Sequence, residues 1–171
     1  MRKFTLLLIL LIFPSVMQAQ HYDHLSQIRL LLISEKFEDV LNVTDSLMLL
    51  DNMKAELYYF RGNAFGQLSR YDSALHCFQQ ALKRDSSNLF YKIALGKAYH
   101  SFGRIRDAII VFEEVIREDS LDLKSHLDLA TLYMIRKEYL KSLELYQHLI
   151  QDDTLNYFLF KQAGVCFLET G

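Results

Sequence analysis

The chain of 171 residues has one proline, at position 14, two cysteines and six glycines, and each shortage removes a class of protein. With no proline after Pro14 and no low-complexity segment, nothing reads as a linker between domains. The glycines do not gather into a phosphate-cradling loop, and no Ser, His and Asp fall together at the spacing of a catalytic triad. Six histidines are scattered: His76, His100 and His148 sit on separate predicted helices. His21 and His24, with Asp23 between them, can share a helix face, but no metal site is assigned there. Lys and Arg number 19 against 21 Asp and Glu, for a net charge of −2, and they are interspersed. The basic stripe that nucleic-acid binding requires is missing. No enzymatic chemistry and no cofactor are expected.

What is present begins with a leader. Residues 1–20, MRKFTLLLILLIFPSVMQAQ, open with Arg2 and Lys3, continue through an apolar run from Phe4 to Phe13, and end on Pro14 and a short tail. That order is a secretory signal peptide, with cleavage expected after Ala19. The run is too short for a transmembrane helix, which needs about 20 apolar residues; an uncleaved anchor is the alternative. The 19 basic residues less Arg2 and Lys3 leave 17 against 21 acidic, a net of −4. The rest, about 150 residues, fits one domain. Export across the inner membrane to the periplasm is expected, with no membrane insertion after cleavage.

From residue 21 onward the chain repeats. Residues 89–122 read as two short amphipathic helices: Leu95, Gly96, Tyr99 and Phe102 share one face, and Ala108, Phe112, Val115 and Ile116 another. Gly103 stands between them, where a helix C-cap needs positive φ. At a period of 34 residues the small residue recurs as Gly62, Gly96, Ala130 and Gly164, and the aromatic as Phe65, Tyr99, Tyr133 and Phe167. The second helix repeats Ala74, Ala108, Ser142 and Phe78, Phe112, Tyr146. The loop repeats Asp85, Asp119, Asp153, and Asn88, Asp122 and Asn156 are predicted N-caps. No gap is needed. A fixed period of this size is the signature of stacked repeats.

This pattern resembles the tetratricopeptide repeat family over residues 21–171. The fold class expected is all-α: a right-handed α-solenoid of antiparallel helix pairs with a 34-residue period. The repeats are 21–54, degenerate, with Ile28, Leu31 and Val40 at the key positions; 55–88; 89–122; 123–156; and a partial 157–171. Nine helices follow, two per repeat plus one. Gly62 and Gly96 are expected to let the paired helix approach against Ala74 and Ala108. Cys77 and Cys166 are separated by five helix steps, too far for a disulfide, and read as packing residues. Phe160, Val165, Phe167 and Leu168 lie on a last helix with no second helix to meet them, which predicts self-association through that end.

The resemblance also implies a site. In the family, positions two, five, nine and twelve of each first helix face a concave groove. Here these are Glu56, Tyr59, Asn63 and Gly66, then Phe90, Ile93, Lys97 and His100, then Lys124, Leu127, Thr131 and Met134. The end helices add Leu25, Arg29, Phe158 and Lys161. Apolar side chains on an otherwise solvated face point to a partner. The expected peptide-binding set is Tyr59, Asn63, Phe90, Ile93, Lys97, Lys124, Leu127 and Thr131. Lys97 and Lys124 favour an acidic or mixed-charge ligand, a bias that Glu56 and Asp128 nearby weaken. The Lys and Asn set with which some members clamp a C-terminal carboxylate is absent, because Tyr59 and Leu127 stand where its Lys would be. The function expected is a non-enzymatic scaffold that binds a segment of another protein. The alternative is the exported sensor half of a longer membrane signalling protein truncated at residue 171.

Overall fold

The computed structural model describes residues 24–50 and 54–171. The expected signal peptide and His21 lie outside the described residues. Among those residues every regular element is an α-helix, and there are nine. Helix α1 covers 24–33 and α2 Phe37–Leu50; α3 is Ala55–Gln67, α4 Tyr71–Arg84, α5 Leu89–Ser101 and α6 Ile105–Glu118; α7 is Leu123–Ile135, α8 Tyr139–Asp152 and α9 Tyr157–Thr170. Each helix packs mainly on the one before and the one after it, so the chain is a stack of helical hairpins. No described helix is long and apolar enough to cross a membrane.

The apolar spacing accounts for the packing. In α6 the buried side chains are Ala108, Ile109, Phe112 and Val115, one stripe of a helix. In α4 they are Ala74, Leu75, Cys77, Phe78 and Ala81. Three clusters form the core. The first gathers Ile28, Val40, Leu57 and Phe60, the second Phe78, Leu95, Phe112 and Leu129, the third Ala130, Tyr146, Leu149 and Cys166. Tyr59 and Phe65 bridge the first two clusters, and Leu145 the last two.

Gly62 and Gly96 let the paired helix approach as the sequence predicts, but the residue that arrives nearest differs from the alanine expected. A β-carbon on Gly62 would stand 2.8 Å from the Phe78 ring, and one on Gly96 would stand 3.1 Å from Phe112. The aromatic of the second helix therefore sits on the glycine, not the alanine. Ala74 faces Gly66 instead. Where Ser142 replaces the alanine, its hydroxyl donates to the Ala130 carbonyl at 2.7 Å and accepts the Cys166 thiol at 3.4 Å. The buried polar group is thus satisfied. Cys77 and Cys166 are both buried free thiols. Burial raises the Cys77 pKa, opposed by the nearby Arg61 guanidinium, which pairs with Asp45.

Each hairpin turn uses the same device. Glu35, Ser69, Gly103 and Lys137 all have positive φ, between 57° and 76°. They are 34 residues apart. In each the positive-φ residue and its successor bond back into the preceding helix. Gly103 donates to His100 at 3.0 Å and Arg104 to Tyr99 at 2.8 Å; Lys137 donates to Met134 at 2.9 Å and Glu138 to Tyr133 at 2.9 Å. This double bond pattern is a Schellman closure. Between hairpins an aspartate organises the loop: Asp85 accepts from Asn88 Nδ2 at 2.9 Å and Asp153 from Asn156 Nδ2 at 3.1 Å. Of the three predicted N-caps only Asn88 bonds the backbone with its side chain, taking the Phe90 N–H at 3.1 Å. Asp122 accepts the Ser125 hydroxyl at 2.5 Å instead, and Asn156 turns to Asp153.

Candidate functional site

Glu56, Tyr59, Asn63 and Gln67 follow one another at three and four residue steps along α3. Helical spacing therefore sets them on one face. Opposite stand Arg29, Leu32 and Ile33 of α1. Glu35 and Phe37 close one end, and Phe90 and Tyr91 of α5 the other. Together they enclose a groove of about 710 Å³ across the first helices of three successive hairpins.

Tyr59 is the hub of its aromatic wall. Its ring lies 4.8 Å from Phe90, 5.5 Å from Phe60 and 5.7 Å from Tyr91, centre to centre. Phe60 and Tyr91 are buried, whereas Phe90 stays 57% exposed at the start of α5. The Tyr91 hydroxyl is pushed up to about 12, first by burial and then by the charges of Glu56 and Asp85. It stays protonated at neutral pH. Asn63 donates its amide to the Tyr59 carbonyl at 3.1 Å, so its orientation is fixed.

The other predicted positions are placed elsewhere. Lys97, with Asn63, Gly66 and Ser101, lines a second hollow of about 390 Å³ between α3 and α5. Its ammonium stands 3.8 Å from Asp128 Oδ2. That oxygen is buried without a hydrogen bond. Burial raises the Asp128 pKa, against the lowering pull of Lys97 and His100. Ile93 and Leu127 are half-buried against the second and third core clusters. Lys124 is exposed and borders neither hollow. Thr131 donates to the Leu127 carbonyl at 2.9 Å and meets the Tyr146 hydroxyl at 3.5 Å. Leu25 is buried in the first core cluster, and Phe158 and Lys161 are exposed at the far end on α9.

Sequence reasoning did not single out Gln67, Phe37, Glu35, Asn88 or Tyr91 as groove residues. Gln67 was findable, since it follows Asn63 by one helical turn. Glu35 and Phe37 come from the turn of the degenerate first repeat, where no motif marks the register. Among the described residues no group of three or more His, Cys, Asp or Glu is arranged to hold a metal ion. His126 is buried and its ring stacks on His148 at 5.0 Å.

At the last helix, Gly164 has nothing within 4 Å of the place its β-carbon would take. A cleft of about 550 Å³ lies beside it between α8 and α9, lined by Leu143, Ile150, Phe160 and Phe167. Phe167 is 66% and Leu168 80% exposed.

A stack of helical hairpins with a hollow across its first helices is the build of an all-α repeat solenoid. The family model described as "Tetratricopeptide repeat" matches residues 55–88, one of the repeats. No curated protein sequence matches the chain. Solved structures do. YrrB, described as a TPR protein with an unusual peptide-binding site, is similar at 19% identity and a TM-score of 0.73, over 86% of this chain and 76% of that one. MamA of Desulfovibrio magneticus RS-1 is similar at 18% identity and a TM-score of 0.76, over 86% of this chain and 83% of that one. The C-terminal part of a TPR repeat-containing protein of Cytophaga hutchinsonii is similar at 14% identity and a TM-score of 0.71, over 85% of this chain and 57% of that one. At these identities the likeness shows the fold alone.

Proposed function

We propose that the chain is a non-enzymatic scaffold, exported to the periplasm, that binds an extended or helical segment of another protein in the groove between α1, α3 and α5. The observation that carries this reading is the exposed Phe90 ring against Tyr59, over a groove of about 710 Å³. Tyr59 also packs between the first two core clusters, whereas Phe90 belongs to no core cluster and leaves its ring to the groove. Exposed aromatics in a concavity are the usual anchors of a protein interface, each worth about 2 kcal/mol or more on truncation. Asn63 and Gln67, which line the same groove, carry amides that both donate and accept, as an extended backbone requires. The peptide-binding site attributed to YrrB agrees with this reading. The test is selection from a displayed random dodecapeptide library on the wild-type chain and on the Tyr59→Ala, Phe90→Ala double variant. Wild type is expected to enrich peptides that the double variant, at unchanged helicity, does not retain. Equal retention by both would refute the groove.

A further inference from the structure

The chain's own cations lie over several of its buried and half-buried aromatic rings, but not over those of the groove. Arg61 and Arg70 lie over Phe65 at 5.4 and 6.0 Å, Arg84 over Tyr58 at 4.0 Å, Arg104 over Tyr99 at 4.8 Å and Lys141 over Tyr133 at 5.0 Å. Among the described residues no cation stands over Tyr59, Phe90 or Tyr91. Yet these rings adjoin a carboxylate: Glu56 is half-buried, lines the same groove and makes no ion pair among the described residues. Its charge reaches the Tyr91 hydroxyl. Glu35, on the rim, likewise makes no ion pair among the described residues.

We propose that the anchor of the segment bound in this groove is a cationic side chain, a lysine or arginine, seated on the faces of Tyr59 and Phe90 with its charge against Glu56. The proposal rests on the peptide-binding reading above and names the chemistry of that peptide. A ring face attracts a cation through its quadrupole, most strongly where water is displaced. A carboxylate beside the rings supplies the counter-charge that such burial requires. An apolar anchor would bury Glu56 without a partner. An acidic one would meet Glu35 and Glu56, while the α5 cations Lys92 and Lys97 stand beside Glu118 and Asp128. Arg29 on the α1 wall is exposed, and Glu35 on the same rim offsets its charge.

The experiment uses dodecapeptides selected on the full chain. The expected result is a shared Lys or Arg among the enriched sequences. Replacing that lysine by norleucine, which keeps the stem and removes the charge, should weaken binding by about tenfold. On the Glu56→Gln chain the same replacement should matter much less. Enriched peptides with no shared basic residue would overturn the proposal and leave the peptide-binding reading standing. So would a norleucine peptide that binds as tightly as its lysine parent, or a lysine preference unchanged in Glu56→Gln. If no peptide is enriched at all, both readings fail.

Discussion

The Phe78 ring occupies the space that a β-carbon on Gly62 would need, with the nearest ring atom 2.8 Å from that position. Phe78 is buried, so the ring has little room to yield. Gly62→Ala gains about 1 kcal/mol of helix propensity but forces an overpacking of about 1–3 kcal/mol. The variant is expected to be less stable. Gly164 occupies the same phase with nothing within 4 Å, so Gly164→Ala is expected to gain about 1 kcal/mol. Urea unfolding of the two variants checks the pair; the same sign for both would refute the account of the glycine positions.

The hairpin turns predict a second contrast. Lys137 and Ser69 hold φ of 61° and 58° where Gly103 holds 76°. Left-handed backbone costs a residue with a β-carbon about 1–2 kcal/mol and glycine almost nothing. Lys137→Gly and Ser69→Gly are therefore expected to raise the melting temperature, in part offset by the extra freedom of glycine in the unfolded chain. Gly103→Ala, where no neighbour lies within 4 Å, is expected to lower it for conformational reasons alone. Thermal melts decide the signs.

The period of the sequence made most of this fold legible. One residue type at a fixed phase predicts one contact, repeated, and the all-α solenoid follows. Gly103 announced its positive φ because glycine is the usual residue there. Glu35, Ser69 and Lys137 did not, although the same phase places them. The residue nearest Gly62 is Phe78 and not the Ala74 expected from the sequence, because spacing along one helix does not say which residue of the next helix arrives opposite. Within the groove, Tyr59, Asn63 and Phe90 were visible as a face. Phe37 and Glu35 were not, since they depend on how the first turn bends. The weakening of the Lys97 charge by Asp128, expected from the sequence, takes the form of a 3.8 Å contact.

Asp128 gives a pH dependence. Burial raises its pKa above the ordinary 3.8. A carboxyl raised in the folded state favours folding when protonated. Its contribution is full below the unfolded value and is lost as pH rises through the folded value. At neutral pH the charged Asp128 therefore opposes folding. Its contact with Lys97, 3.8 Å away and partly exposed, returns little. Asp128→Asn is expected to raise the melting temperature at pH 7 and to match wild type below pH 3.8. A variant less stable than wild type at pH 7 would show that the ion pair outweighs the burial.

The exposed face of α9 predicts association. Phe160, Phe167 and Leu168 are solvent-facing beside the open cleft at α8, an apolar patch of the kind that joins proteins. The chain ending at Gly171 is expected to self-associate with concentration, and Phe167→Ser with Leu168→Ser to reduce it. Light scattering over a concentration series measures this; a wild-type chain that stays monomeric throughout contradicts it.

The proposed function requires that one groove hold a peptide. Amide chemical-shift mapping on the chain, titrated with a dodecapeptide selected on it, tests this most directly. The largest shifts are expected on α1, α3 and the start of α5, around Arg29, Tyr59, Asn63 and Phe90, and Tyr59→Ala is expected to abolish them. Shifts concentrated on α4 and α6, with the groove residues unmoved, would contradict it.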